Sequence, residues 1–390
     1  MVTSSGHSRS AIGRFASDLG LRWRRAGLAG RIVTVGSGVV VLALIVTGVA
    51  FGLSGGPASH AAADPTTTAA TTGSSSTSTA TTRPNAKSKF CPLTGRLPAS
   101  GKVPQRPALA VKIGNDPASR PQSGLLDADI VYEEMAEGGI TRYMAVFQCT
   151  VPAMVGPIRS VRWDDWHVLQ SYGHPILSFS GGIDQWDAAV ASLSWLFDAN
   201  GSEGATVSAY FRTSNREAPW NYYSTGKALW GLDPRNHTTP PAQFTYSHAP
   251  AAGAVAATGA TIVGFATGAD VDWQWSSRLQ TWLRSYDGVP DNDISGAQLH
   301  ATNVVIEEVV TKPGPYAESG TVPDVESLTQ GSGPAFILRN GKVEKGTWNC
   351  AAYGDITKYR FSNGTTMTLA PGTTWVEVVP DQGYPVQIHA

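Results

Sequence analysis

The sequence predicts an α+β protein: an N-terminal membrane helix and disordered tether, then a mixed α/β domain, then a β-rich domain of sandwich or barrel-like form. Three observations carry this. An uncharged apolar run is followed by a tract of small polar residues, strand and helix periodicities interleave through the middle of the chain, and the remainder turns to alternating segments punctuated by Asn-Gly.

Residues 1–31 are a basic segment, with Arg9, Arg14, Arg22, Arg24, Arg25 and Arg31 against Asp18. The run IVTVGSGVVVLALIVTGVAFGL, residues 32–53, carries no charge, and at about 1.5 Å per residue it spans roughly 30 Å of hydrocarbon. A cleavable signal peptide is the rival reading, because the small residues of ASHAAAD follow, but the apolar core of a signal typically holds about 7–15 residues. The length therefore favours a retained single-pass anchor. No further Lys or Arg occurs until Arg83, so the positive-inside rule places the N-terminus in the cytoplasm and all that follows residue 54 outside. Residues 54–89 hold Thr, Ser, Ala and Pro with almost no large apolar side chain. Such a segment cannot offset its ordering entropy and reads as a disordered tether.

Across 90–247 the periods mix. ALAVKIG (108–114) reads as a buried strand, DIVYEEMA and ITRYMAVFQ as a hairpin turning at Gly138-Gly139, and PILSFSGG (175–182) as another strand. SVRWDDWHVLQSYG (160–173) and DQWDAAVASLSWLFDANG (184–201) read as helices, the second with Trp186, Val190, Leu193 and Phe197 at helical spacing and Gly201 as its stop. An Ala/Gly stretch at 248–260 marks a boundary. The β-rich domain, 258–388, contains NVVIEEVV and two Asn-Gly hairpin signals, in FILRNGKVEKGTW and YRFSNGTTMTLA.

Composition narrows the function. The net charge of −1 gives no basic field for nucleic acid. Cys91, Cys149 and Cys350 lie in the predicted oxidising exterior, where one disulfide with one cysteine left over is expected; of three open pairings, Cys91–Cys149 would close a loop of roughly 58 residues. No CxxC, HExxH, P-loop or dinucleotide fingerprint occurs, so neither metal nor cofactor is expected. Ser224-x-x-Lys227 has the spacing of a Lys-activated nucleophile but lacks the companion SDN and KTG boxes.

Charge gathers in two places. With a two-residue turn at Gly138-Gly139, Met135 pairs with Arg142 and Glu133 with Met144, setting Glu133, Glu137 and Arg142 on one face and Glu134 on the other. A pair of carboxylates is the minimum equipment for glycoside hydrolysis, although an adjacent guanidinium favours the anion over the general acid. In GPIRSVRWDDWH, Arg159 and Arg162 are placed on one side of a helix start, where they could grip a phosphate or carboxylate. NDPASRPQSG, with Asn115, Arg120 and Gln122, is a polar loop fit either for a ligand or for turn chemistry.

These residues carry a resemblance. CPLTG (91–95), the segment 106–148, GPIRSVR (156–162), RTSNREAPWNYY (212–223), the segment 286–309 and GTTWVEVVP (372–380) resemble the YerB-like family of bacterial envelope proteins. The resemblance implies an extracytoplasmic, membrane-attached protein of two parts, mixed then β-rich, and adds Arg212, Arg216 and Asn221 to the ligand-binding candidates. This chain departs from the family in two ways. Cys91 lacks the small-residue context of a lipid-modified cysteine, and Trp220 stands where the family is expected to carry His in Ala-Pro-His-Asn. The expected function is binding of a cell-wall glycan or envelope protein partner through an Arg/Glu-lined groove of the mixed domain, with Arg142, Arg159 and Arg162 among the ligand-binding candidates. The alternative is a wall polysaccharide hydrolase or lyase using Glu133 or Glu137 as acid/base.

Overall fold

The computed structural model describes residues 89–390. The basic segment, the apolar run at 32–53 and the tether up to residue 88 lie outside the described residues; among those described, no helix is long and apolar enough to cross a membrane.

Strands β1 (Leu109–Gly114), β2 (Ile130–Met135), β3 (Thr141–Phe147), β4 (Ile176–Phe179), β5 (Phe197–Asn200), β6 (Tyr210–Arg212) and β7 (Tyr222–Ser224) alternate with short helices α1 (Trp163–Leu169), α2 (Asp184–Ala191) and α3 (Gly226–Trp230). Beyond them the chain is all strand: β8 (Val255–Ala256), β9 (Gly259–Ala266), β10 (Ala269–Ser276), β11 (Thr281–Tyr286), β12 (Val289–Pro290), β13 (His300–Ala301), β14 (Asn303–Val309), β15 (Thr311–Ser319), β16 (Val322–Ser327), β17 (Gly331–Arg339), β18 (Lys342–Cys350), β19 (Lys358–Arg360), β20 (Thr374–Pro380) and β21 (Val386–His389). The protein is thus β-rich, with few helices.

One mixed, 11-stranded sheet runs β19-β18-β17-β14-β20-β2-β3-β1-β4-β5, with β8 against β18. Its first-half and second-half strands meet where β2 lies parallel to β20, Ile130 opposite Thr374 and Glu133 opposite Glu377. The second half does not close a barrel of its own. Some of its strands extend this shared sheet, while β9–β13 and β21 form a six-stranded sheet that packs across one face. That layer is held by aromatic contacts across the interface, Trp273 against Trp375 at 5.3 Å and the Tyr143 and Tyr286 hydroxyls hydrogen-bonded at 2.6 Å. On the opposite face α1 and α2 bury Trp166, Leu169, Trp186 and Val190 over Met144, Val305 and Val376. Because both faces are covered, LAVKIG of β1 is buried along its whole length.

The structure corrects several local expectations. The helix expected over 184–201 ends at Ala191, where the Ser192 hydroxyl donates to the Ala189 carbonyl at 2.7 Å; Phe197–Asn200 instead pairs in parallel with β4. Leu193 and Phe197 matched the helical period, but an edge open beside β4 recruits the segment as strand. The helix expected over 160–173 begins only at Trp163, with Arg162 in extended backbone. The hairpin turn is longer than two residues: the Ala136 amide donates to the Ile140 carbonyl at 2.8 Å, with Gly138 and Gly139 both left-handed between them. Asn340-Gly341 does close a tight hairpin between β17 and β18, both residues at positive φ, whereas Asn363-Gly364 closes a short turn in which the Phe361 amide donates to the Thr365 carbonyl at 2.9 Å beside the bridge Arg360–Thr366.

Cys91 and Cys149 are joined by a disulfide 58 residues apart in sequence, and Cys350 is a buried free thiol. Replacing Cys149 by Ser should lower unfolding stability by about 2–4 kcal/mol, since the unfolded chain regains the entropy of an open loop. Chemical denaturation of wild type and variant checks this, and coincident curves would refute it.

Candidate functional site

The longer turn shifts β2 against β3 by one residue from the expected register, so Glu134, not Met135, lies opposite Arg142 and Glu133 lies opposite Tyr143. A one-residue slip exchanges the faces of a strand. Glu133 and Arg142 therefore point to opposite sides of the sheet, and the expected trio of Glu133, Glu137 and Arg142 does not form.

Glu133 faces the six-stranded sheet. One of its carboxylate oxygens accepts from Thr141 at 2.6 Å and Asn115 at 3.1 Å, and the other pairs with the guanidinium of Arg284 on β11. Arg284 also reaches Asp291 at 2.5 Å and Glu377 at 3.9 Å, and both Glu133 and Arg284 are 0% exposed. Burial works against the Arg284 charge, but Glu133, Tyr143, Tyr286 and Asp291 together outweigh it and hold the guanidinium firmly protonated. Burial, and then the Glu133 charge, drive Glu377 well above the usual carboxylate range, so it is held as the neutral acid opposite Glu133, while Trp273 Nε1 donates to Glu377 at 2.8 Å. Asn115, Gln122 and Arg120 belong to the same interior network. Arg120 Nε and Gln122 Nε2 donate to the Asn115 amide oxygen, and the Arg120 guanidinium lies 3.7 Å over the Tyr286 ring.

On the other face Lys112 Nζ lies 2.6 Å from both Glu134 and Asp165, sealed from solvent. At the hairpin tip Glu137 bridges Arg142 at 3.0 Å and Arg162 at 2.7 Å, and Arg162 also approaches Glu318 at 3.3 Å and Asp324 at 3.8 Å. Burial would raise the Glu137 carboxyl, but the two arginines overcome it and hold the group below its ordinary value as a firm anion. Burial and the neighbouring Arg162 pull Arg142 down to about 10.

Arg159 has a different environment. The segment carrying it is extended, so Arg159 and Arg162 diverge rather than share a helix face. The segment wedges between the carboxyl ends of β1 and β4: the Arg159 amide donates to the Lys112 carbonyl at 3.0 Å, and its carbonyl accepts from Ser180 at 3.0 Å. Gly114 makes room, since a Cβ there would fall 2.7 Å from Arg159 Cγ. In open α/β sheets ligands bind where the carboxyl ends of neighbouring parallel strands separate. A cavity of about 140 Å³ opens at this point, lined by Arg159, Ser160, Ser180, Arg212, Pro219 and Tyr222. Arg212 on β6 reaches it held by Asn221 Oδ1 at 2.7 Å, with its guanidinium 4.7 Å over the ring of Tyr222 on β7. Tyr222 is fixed in turn by donating to the Gly201 carbonyl at 2.5 Å and stacking on Tyr210. Among the described residues neither Arg159 nor Arg212 has a carboxylate within 4.0 Å. Arg216 supports the loop behind, donating to the carbonyls of Ser119 at 2.8 Å and Pro121 at 2.5 Å.

Comparison with known proteins now places the chain. Residues 93–238 match the family described as Protein of unknown function (DUF3048) N-terminal domain, and residues 261–376 match its C-terminal domain. The chain belongs to this two-part DUF3048 family. A curated relative, "Putative lipoprotein YerB" of Bacillus subtilis, is 29% identical over 315 residues, covering 76% of this chain and 88% of the relative. The crystal structure of YerB from Bacillus subtilis superposes with a TM-score of 0.63 at 23% identity, over 76% of this chain and 99% of that one. Both DUF3048 segments contribute to the Glu133–Arg284 network, since Glu133 falls in the first match and Arg284 in the second.

Of the residues expected to bind a ligand, the fold brings Arg159 and Arg212 to one opening, with Asn221 as support. It consigns Glu133, Arg142, Arg162, Asn115, Arg120 and Gln122 to internal pairing. Sequence reasoning missed Ser180, which no motif marks, Ser160 and Tyr222, which lie inside family stretches but were not singled out, and also Arg284. A signal for Arg284 was present: in TWLRSY the arginine shares the inward phase of Trp282 and Tyr286, and a charge on an apolar phase must find a buried partner.

Arg284→Met should destabilise by about 3–5 kcal/mol, because Glu133 is left buried without its cation, and Glu133→Gln in the same chain should recover part of that loss. Thermal and urea denaturation of the single and double variants test this coupling. The raised Glu377 value gives stability that is full below the ordinary carboxylate range and lost as pH rises through the raised one. Glu377→Gln keeps a neutral hydrogen-bonding group and should flatten that alkaline decline. An unchanged pH slope would count against a neutral Glu377.

Proposed function

We propose that this protein is a membrane-attached, extracytoplasmic envelope protein that binds anionic groups, carboxylate or phosphate, of a cell-wall polymer in the Arg159–Arg212 cavity. The observation that carries the reading is the pair of guanidiniums without carboxylate partners at one polar opening, in a molecule whose arginines at 142, 162 and 284 are all ion-paired. Two arginines on a small polar cavity match the geometry of a tetrahedral or planar oxyanion. Support for the envelope comes from the Cys91–Cys149 disulfide, which suits an oxidising compartment, and from the lipoprotein designation of the Bacillus subtilis relative. Hydrolysis by Glu133 and Glu137 fits less well. Glu133 is sealed beneath Arg284, and Glu137 is held as an anion by two arginines, so neither is placed to donate a proton to a glycosidic oxygen.

Full-length protein in detergent, titrated with isolated wall polymer, should bind with an affinity that falls as salt rises. Arg159→Ala and Arg212→Ala should each weaken binding by about tenfold or more while leaving the melting curve unchanged, the scale of a lost charge-assisted contact. Undiminished binding in the double variant would overturn the assignment to this cavity. Release of new reducing ends that disappears in Glu137→Gln would make the protein a hydrolase instead.

A further inference from the structure

A second small cavity, of about 40 Å³, lies on the helix-covered face of the main sheet, away from any of the arginines described above. Its floor is Glu307 on β14, and its walls include Tyr132, Phe244, Tyr353 and Tyr359. Glu307 is 6% exposed, and its carboxylate accepts from the Tyr359 hydroxyl. Unlike Glu133 and Glu134, which hold Arg284 and Lys112, Glu307 has no lysine or arginine within 4.0 Å among the described residues, and none lines the cavity. A buried carboxylate without a cation is costly, so the pattern is that of a site whose cation arrives with a ligand.

The surroundings agree. The titratable groups facing Glu307 are Tyr132 on β2, His167 on α1, Cys350 on β18, Tyr353 and Asp355 on the following loop, and Tyr359 on β19. His167 brings no charge of its own: its Nδ1–H donates to the Trp163 carbonyl at 2.7 Å, its ring stacks on Trp163 at 3.7 Å, and burial lowers its pKa. Burial holds the Cys350 thiol above its ordinary value, as a neutral group. Asp355 is exposed at the rim and adds a second negative charge at the entrance. Aromatic faces around an anion are the chemistry that holds an ammonium. The volume admits one group of about the size of water or ammonium, so only the head of a ligand could be enclosed.

The geometry points to a binding site for the primary ammonium group of a peptide-like ligand, such as a lysine side chain, with Glu307 as counter-ion, Tyr132, Tyr353 and Tyr359 as walls, and the rest of the ligand leaving past Gly354 and Asp355. This assignment is independent of the arginine cavity. Burial, partly offset by the Tyr359 hydroxyl, pushes the Glu307 carboxyl up to about 7; the charge of an arriving ammonium would lower it again, releasing the carboxyl proton to solvent.

The test is calorimetric titration of full-length protein with Nα-acetyl-lysine methylamide, and with its norleucine counterpart, which lacks the amine. Saturable binding of the lysine probe alone is expected, weakening as pH falls below about 7. Glu307→Gln should lose about tenfold or more in affinity, as for a missing charge-assisted contact. Without ligand, Glu307 contributes stability that is present below its ordinary value of 4.5 and lost as pH rises through about 7, so Glu307→Gln should be at least as stable as wild type at alkaline pH. Should Glu307→Gln not fold, Tyr359→Phe serves: loss of its hydrogen bond raises the carboxyl further, so binding should fail near neutrality and return at about pH 9, where the amine is still charged. Equal affinity for the norleucine probe, retained affinity in Glu307→Gln, or no saturable binding at about pH 9 would overturn the site and leave a cavity for structural water.

Discussion

The buried ion pair between Arg284 and Glu133 is the contact on which the layered architecture depends. A guanidinium with no exposure to water must have its charge met from within, and Arg284 draws on Glu133 of β2, Asp291 after β12 and Glu377 of β20. Those groups come from the six-stranded sheet and from two neighbouring strands of the main sheet. Alternative placements of one sheet on the other would still bury tryptophan on tryptophan, but they would strand the charge. The aromatic contacts of Trp273, Trp375 and Tyr143 supply area, and the ion pair selects the register in which that area is buried.

The parallel pairing of β2 with β20 has a chemical consequence. It sets Glu133 directly beside Glu377, and two carboxyls this close in a dry layer cannot both ionise against a single guanidinium. The same β2 strand turns Glu134 to the opposite face, where Lys112 and Asp165 form a second closed cluster. Neighbouring glutamates thus serve different layers, and the hairpin acts as a double-sided fastener for the sheet.

Against this paired interior, two cavities among the described residues are lined by charge of one sign. At the carboxyl edge of β1 and β4, Arg159 and Arg212 face a polar cavity without carboxylates. Beside β14, Glu307 faces an aromatic cavity without a cation. Their opposite signs suit opposite charges on a ligand, and both lie at the margins of rigid strands, where side chains are held in place and solvent can still reach.

Patterns within a few residues were legible in the sequence. The buried strand at 108–114, the strand pair DIVYEEMA and ITRYMAVFQ, the tight hairpin at Asn340-Gly341 and the family stretches all appear as read, because apolar period and turn chemistry are local properties. The Cys91–Cys149 bridge was one of the pairings left open, and only the folded chain selects it. Tertiary structure also decided that Phe197–Asn200 is strand rather than helix, since the open edge of β4 outweighs a helical spacing. It set the register of the hairpin, since one further residue in its turn exchanges the faces of Glu133 and Glu134 relative to β3. The partners of Arg284, as many as 151 residues away, were likewise beyond local reading. An amino-acid sequence by itself determines which side chains require burial or a counter-charge; which group meets that requirement depends on strands that become neighbours only when the chain is folded.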